Sequence, residues 1–171
     1  MNQLEKLLLR AEHVLLWAAV VATGSIMLLT SADALLRYAI NAPVTGAYEI
    51  TEKYLMPASV FLGMTYAYRG GAFIRVTFLV DKLPAAFKQL ANYIAWAISL
   101  LCCGIFVVAT VSQAVSVWSD GTTLATINIP AGPAYWLAPV GFFALTLLML
   151  IDLPKVGKGE AMLFAQDAPN L

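Results

Sequence analysis

The stretch that decides the fold is Leu36–Pro84, which reads LRYAINAPVTGAYEITEKYLMPASVFLGMTYAYRGGAFIRVTFLVDKLP. It begins at the end of one long apolar run and contains a second apolar segment, with charged residues on either side of that segment. Charged side chains are costly inside a lipid bilayer, so charges confined to the ends of apolar runs are typical of membrane-spanning helices. The stretch therefore predicts a membrane hairpin whose two helices are joined by the short loop 38–47.

The composition of the whole chain supports this interpretation. Hydrophobic residues make up 61% of the 171 residues and charged residues only 12%, and the mean hydropathy is +0.79. Because a soluble domain carries about 25% charged residues, the chain is predicted to be an all-α membrane protein that forms a single domain over residues 1–171. The formal net charge is zero, which gives no indication of nucleic-acid binding.

Four apolar segments are long enough to span a bilayer as helices, which takes about 20 residues. The predicted spans are about 14–36, 48–68, 90–117 and 134–153. The second span is the least regular, because charged residues occupy its first turns.

The basic residues predict the orientation of these spans. With four spans, both termini and the middle loop share one side of the membrane. That side holds eight of the ten basic residues, namely Lys6, Arg10, Arg69, Arg75, Lys82, Lys88, Lys155 and Lys158. Since cytoplasmic loops carry an excess of Lys and Arg, both termini are predicted to lie in the cytoplasm.

Two short amphipathic helices are predicted to lie on the membrane surface, over residues 3–12 and 73–83. In the first, Leu4, Leu7 and Leu8 share one face of a helix, while Glu12 lies off that face. A plain hydrophobic loop is the alternative for both segments. The residues expected at the lipid interface are basic or aromatic: Arg75, Lys82, Lys88, Trp118 and Trp136.

Small residues at a spacing of four predict close helix packing. The third span carries Ala91, Ala95, Ser99 and Cys103, and the second carries Gly63 and Ala67. Such smooth stripes let another helix approach closely in a membrane. They are interpreted as packing features without chemistry of their own.

One group of charged residues, the charge cluster Asp33, Arg37, Glu49, Glu52 and Lys53, is the main candidate for a functional site. Asp33 with Arg37 and Glu49 with Lys53 are spaced i, i+4, so each pair can meet on a helix face. Two interpretations are open: an ion or anion pathway, or an ion network that fixes the hairpin or a subunit contact. The near balance of charges, two basic against three acidic, favours the second.

No catalytic, metal or cofactor motif accompanies this cluster, so no enzyme activity is predicted. Cys102 and Cys103 are adjacent and mid-span, which is unlike the Cys-x-x-Cys pair of a thiol oxidoreductase, and they are interpreted as small buried residues. The single histidine, His13, cannot supply the two axial ligands of a haem subunit. We expect no cofactor and no metal in this chain.

The order of several loose motifs resembles a known family. The motifs are Arg37-Tyr38, Pro43, Tyr48-Glu49, Phe61-Leu62-Gly63, Arg69, Ile74-x-Val76, Ile129-Pro130, Tyr135 and Pro139-x-Gly141. Together, over about residues 14–152, they resemble the small membrane subunit (DctQ-like) of tripartite ATP-independent periplasmic (TRAP) transporters. Phe73 and Thr77 depart from the family pattern, which often has His and Asp at those places.

The resemblance implies a four-helix subunit of the bacterial inner membrane. Its implied partners are a large multispan permease subunit, which would hold the sodium and substrate sites, and a periplasmic binding protein that delivers an organic acid such as a carboxylate or sialic acid. The small subunit would enlarge the immobile scaffold of a sodium-coupled symporter, with phospholipids around it. Nothing in the sequence identifies the substrate or the stoichiometry.

Two other classes of membrane protein remain as alternatives. A self-sufficient four-helix exporter would use one membrane carboxylate, for which Asp33 is the candidate. A membrane anchor of a redox complex is disfavoured because ligand histidines are missing.

Overall fold

The computed structural model describes residues 3–71 and 84–156, and within them the chain is mainly helical. The helices, in chain order, are α1 Gln3–Ile40, α2 Ala47–Ile50, a π-helical segment Thr51–Leu55, α3 Met56–Arg69, α4 Ala85–Ser119, α5 Gly132–Tyr135, α6 Leu137–Ile151 and α7 Leu153–Val156. The described residues contain no β-strand, although an isolated antiparallel bridge joins Thr123 to Pro130. The predicted surface helix 73–83, with Phe73, Arg75, Thr77 and Lys82, lies outside the described residues.

Three described helices are long and apolar enough to cross a membrane: Leu9–Ile40, Phe87–Ser119 and Gly132–Ile151. This confirms an all-helical fold with membrane-spanning character. The predicted second span corresponds to the helical stretch 47–69, which is interrupted by the π-helical segment and charged in its first turns. The count of four spans and the cytoplasmic location of the termini stay predictions.

α1 is one uninterrupted helix of 38 residues. At 1.5 Å per residue it is about 57 Å long, which exceeds the thickness of a bilayer. Residues 3–12 continue without a break into the rest of α1, so the structure shows no boundary for a separate surface helix there. Glu12 turns into the protein instead of toward the surface, because it has an ionic partner on α3.

The long helices form an open row in the order α1, α3, α6, α4. α1 packs on α3, α3 packs on α6, and α6 packs on α4. α3 and α6 approach very closely, since a Cβ at Gly141 would clash with the Phe61 carbonyl oxygen. The contact between α3 and α6 therefore joins two helical hairpins, α1 with α3 and α4 with α6. The helices α1 and α4 lie at the edges of the row, and their apolar faces are largely exposed.

The buried core lies between α3, α6 and α4. Its centre is Tyr68, Leu145, Leu148 and Met149, against which α4 packs through Trp96, Leu100 and Cys103. The Trp96 indole N–H donates to the Met149 carbonyl at 3.1 Å, so α4 is held by a hydrogen bond as well as by apolar contact.

The predicted packing residues lie in different surroundings. A Cβ at Gly63 would meet the Ala19 Cβ at 3.5 Å, so this position allows the close contact between α3 and α1. Ala67, Ala91, Ser99 and Cys103 are half-buried, whereas Ala95 is exposed. The stripe on α4 does not face α6 along its whole length, and its role in packing stays a prediction.

Candidate functional site

The charge cluster lies beside the loop 41–46, which reverses the chain between α1 and α2. Asn41 has φ 55° and Gly46 has φ 78°, left-handed values that asparagine and glycine tolerate. The Val44 N–H donates to Asp33 Oδ1 at 2.8 Å, so the carboxylate on α1 satisfies a backbone donor of the loop. We call this end of the molecule, with loops 41–46 and 120–131, the loop end.

The predicted pair between Asp33 and Arg37 is present. Arg37 Nη2 donates to Asp33 Oδ2 at 2.6 Å. The Asp33 side chain is 17% exposed, whereas that of Arg37 is 64% exposed. Both oxygens of Asp33 thus accept a hydrogen bond, while most of the guanidinium stays accessible.

The predicted i, i+4 pair between Glu49 and Lys53 is not formed. Lys53 Nζ instead contacts Glu52 Oε1 at 2.9 Å. The reason is the π-helical segment Thr51–Leu55, which widens the turn, so that residues four apart no longer share one face as they do in an α-helix. The charge cluster is therefore two separate ion pairs with Glu49 apart from both.

Glu49 binds the loop 120–131 instead. Its Oε1 accepts the Thr126 hydroxyl at 2.9 Å, and its Oε2 accepts the Thr126 N–H at 3.0 Å. Nearby, the Tyr54 hydroxyl donates to the Pro130 carbonyl. Ile127 packs over Gly46, where a Cβ would come within 2.8 Å of it. These contacts join the two helical hairpins at the loop end.

A third ion pair, which sequence reasoning missed, lies at the opposite end of the row. Arg69 on α3 donates from Nε and Nη2 to the two carboxylate oxygens of Glu12 on α1, both at 2.6 Å. The Glu12 side chain is only 4% exposed. The sequence does contain a signal for this pair. Glu12 comes just before the first apolar run and Arg69 just after the second, and in a membrane hairpin these two positions lie at similar depths.

Another missed residue at that end is Asp152, which is buried after α6. Asp152 Oδ2 accepts a hydrogen bond from the Tyr68 hydroxyl at 3.3 Å. This contact ties α3 to the end of α6 and adds to the packing of the core.

Three cavities in the described part of the chain border the π-helical segment. One of about 340 Å³ lies between it and α1, and adjoins a second of about 510 Å³ beneath the loop 41–46. The third, of about 360 Å³, lies on the other side between α3 and α4, where Pro57, Thr110 and Gln113 line it. The Glu52–Lys53 ion pair borders the second and third cavities.

The described residues offer no site for a metal ion, since no three His, Cys, Asp or Glu residues among them come together. Both cysteines are free thiols. Cys103 is half-buried, but Cys102 is exposed on α4, so the prediction that both are buried is wrong for Cys102. Residue 102 lies on the outward face because α4 is an edge helix of the row.

Comparison with known proteins identifies one family. The family described as "Tripartite ATP-independent periplasmic transporters, DctQ component" matches residues 26–155. The matched range covers the charge cluster, both loops of the loop end and Arg69, while Glu12 lies before it. No curated protein matches the chain.

Proposed function

Because the chain belongs to the family of DctQ components of tripartite ATP-independent periplasmic transporters, we propose that it serves as the small membrane subunit in sodium-coupled uptake of an organic acid. Its partners would be a large permease subunit, which binds sodium and substrate, and a periplasmic binding protein. The proposed site of action is the bacterial inner membrane. The observation that carries this proposal is the family match over residues 26–155.

The structure supports a scaffold role for the small subunit. The row of helices is tied at one end by Glu12 and Arg69 and at the other by Glu49 and the loop 120–131. The Glu12–Arg69 pair holds α1 on α3 within the first hairpin. The Tyr68–Asp152 hydrogen bond at the same end and the Glu49–Thr126 contacts at the loop end join the two hairpins and oppose sliding of one against the other. The exposed apolar faces of α1 and α4 are available to lipids or to a larger subunit.

The electrostatics of the described residues are unlike those of a substrate site. A substrate carboxylate in a transporter is held by donors or fixed positive charge near the middle of the membrane. Here Arg37, Lys53 and Arg69 each already contact a carboxylate of the same chain. A role in positioning the permease subunit fits this arrangement better than direct transport.

The geometry also weakens the exporter alternative. An exporter carboxylate must alternate between a proton and a cationic substrate. Asp33 is engaged on both oxygens, by Arg37 and by the Val44 N–H, and both contacts would have to break in each cycle. No observation favours the redox-anchor alternative, since His13 contacts the Leu9 carbonyl of its own helix at 2.8 Å.

Reconstitution in liposomes tests the proposal. The chain alone, the chain with a large permease subunit, and the chain with both permease and binding protein are given a sodium gradient, and uptake of labelled organic acids is measured. We expect gradient-driven uptake only from the three-component system, with copurification of chain and permease. Saturable uptake by the chain alone would overturn the scaffold assignment.

A further inference from the structure

The helical stretch 47–69 changes its hydrogen-bonding pattern at the π-helical segment. At the end of that segment the Met56 N–H donates to the Thr51 carbonyl, five residues earlier, where an α-helix would use the carbonyl four residues earlier. The wider turn holds one residue more than the same turn of an α-helix. Rewinding it into an α-helix would therefore shift the residues on one side of it by one position.

Pro57 gives the physical reason for a π-helical segment at this place. Its ring nitrogen carries no hydrogen, so the Lys53 carbonyl lacks the donor that an α-helix would supply at position 57. In a regular α-helix the proline ring would also collide with that carbonyl, and the wider turn relieves the collision. A proline inside a helix disfavours the α-helical form on the order of a hundredfold. Pro57 therefore keeps the segment in its π-helical form.

The residues that precede the segment are the ones with room to shift. The helix α3 after it is fixed by close contacts, of Gly63 with Ala19 on α1 and of Phe61 with Gly141 on α6. Before the segment lie the short helix α2 and the loop 41–46, with the cavity of about 510 Å³ beneath this loop. The loop therefore has room to take up one more residue.

A shift by one residue would break the hydrogen bonds that join the two hairpins at the loop end. It would turn α2 by about 100° and move it by about 1.5 Å along its axis. Glu49, which now accepts from the Thr126 N–H and hydroxyl, would then point away from Thr126. Tyr54, whose hydroxyl donates to the Pro130 carbonyl, lies within the segment that rewinds. These hydrogen bonds therefore belong to the π-helical form.

The packing of Ile127 against Gly46 also depends on this register. Gly46 has φ 78°, and a Cβ at this position would lie 2.8 Å from the Ile127 side chain. The shift would bring Ala47 to this place. Since alanine disfavours a left-handed φ and its Cβ would collide with Ile127, the loop 120–131 would have to move away.

We propose that Pro57 and the π-helical segment form a one-residue register switch that controls whether the two hairpins are joined at the loop end. In the π-helical register, which Pro57 favours, Glu49 holds the loop 120–131. In the α-helical register that contact is absent, while the hydrogen bond from Tyr68 to Asp152 still joins the hairpins at the opposite end. The hairpins then open at the loop end and pivot about the other. This switch goes beyond the scaffold role and does not depend on the identity of the transport partners.

Substitution of Pro57 in the full-length chain tests the proposal. Pro57→Ala supplies the missing N–H and removes the ring, so it should shift the segment toward the α-helical register. We expect hydrogen exchange in residues 120–131 to rise about tenfold or more, because the charge-assisted bonds to Glu49 are lost. The free energy of unfolding should not fall, because alanine replaces proline inside a helix. Faster exchange together with a lower free energy of unfolding would indicate damage to the fold and contradict the switch.

A distance measurement reports the register directly. Spin labels are attached to Tyr48→Cys on α2, where the tyrosine is 77% exposed, and to Thr122→Cys at another exposed position, in a chain without the native cysteines. We expect one distance while Pro57 is present and a second, resolved distance after Pro57→Ala. An unchanged distribution of distances would refute the proposal.

Pro133→Ala is the matched control. Pro133 is exposed in the first turn of α5, where the N–H of a helix has no carbonyl of its own helix to pair with. Neither the exchange nor the distance should change in this variant, and equal changes in Pro133→Ala and Pro57→Ala would exclude a specific role of Pro57. Pro57→Ser, which also supplies an N–H, is a second variant. Failure of both Pro57 variants to fold would itself contradict the proposal, because the added N–H should favour the helix.

Discussion

Replacing Arg69 by leucine should destabilise this protein more than replacing its partner Glu12. The two side chains form a two-point ion pair, but the Glu12 side chain is 4% exposed and that of Arg69 is 32% exposed. Arg69→Leu leaves a carboxylate deep in the contact between α1 and α3. Glu12→Leu leaves a guanidinium on a long side chain that can turn toward headgroups or water.

The magnitude follows from this difference in burial. Removing one partner of a buried ion pair costs about 3–5 kcal/mol, and we expect Arg69→Leu to lie in that range. Glu12→Leu should cost less, about 1–2 kcal/mol, since the remaining charge can be rehydrated. The double variant should recover most of the loss, because apolar replacement of both partners is often neutral.

The assay is the free energy of unfolding of the full-length chain in one detergent, measured for both single variants and the double variant. The double-mutant cycle then isolates the pairwise energy, which we expect to be at least about 2 kcal/mol. The control is the pair Glu52 and Lys53, whose side chains are 41% and 44% exposed. Because exposed ion pairs contribute about 0–1 kcal/mol, the same cycle there should give a small coupling.

Two results would refute this reasoning. If Arg69→Leu and Glu12→Leu cost the same, the asymmetry in burial does not control the energy. If the costs simply add in the double variant, the pair contributes no coupling in the folded chain.

Two further predictions concern the loop end and the orientation. Glu49→Ala should speed hydrogen exchange in residues 120–131 about tenfold or more, because it removes charge-assisted bonds to the loop, whereas Glu52→Ala should not; equal exchange in the two variants would count against the Glu49 contact. In a variant without the native cysteines, a cysteine at Thr122 should react with an impermeant thiol reagent in intact cells and one at Gln89 should not, and the opposite labelling would invert the predicted topology.

Hydrophobic runs and charge placement determined the helices of this chain. The runs predicted near 14–36 and 90–117 lie within the longer helices α1 and α4, and the run predicted near 134–153 overlaps α5, α6 and α7. Backbone hydrogen bonds must be satisfied within the segment wherever lipid surrounds it, so an apolar run of this length forms a helix whatever its neighbours are. The Asp33–Arg37 pair was predictable for the same reason, because i, i+4 contacts are made within one helix.

The tertiary structure alone decided which distant residues meet. Glu12 pairs with Arg69, 57 positions along the chain, and Glu49 contacts Thr126, 77 positions along. These contacts depend on the order α1, α3, α6, α4, and that order depends on close approaches such as Gly141 against Phe61. The π-helical segment also turned Lys53 toward Glu52 instead of Glu49. Helix periodicity specifies which side chains share a face, whereas the packing of whole helices specifies what that face contacts.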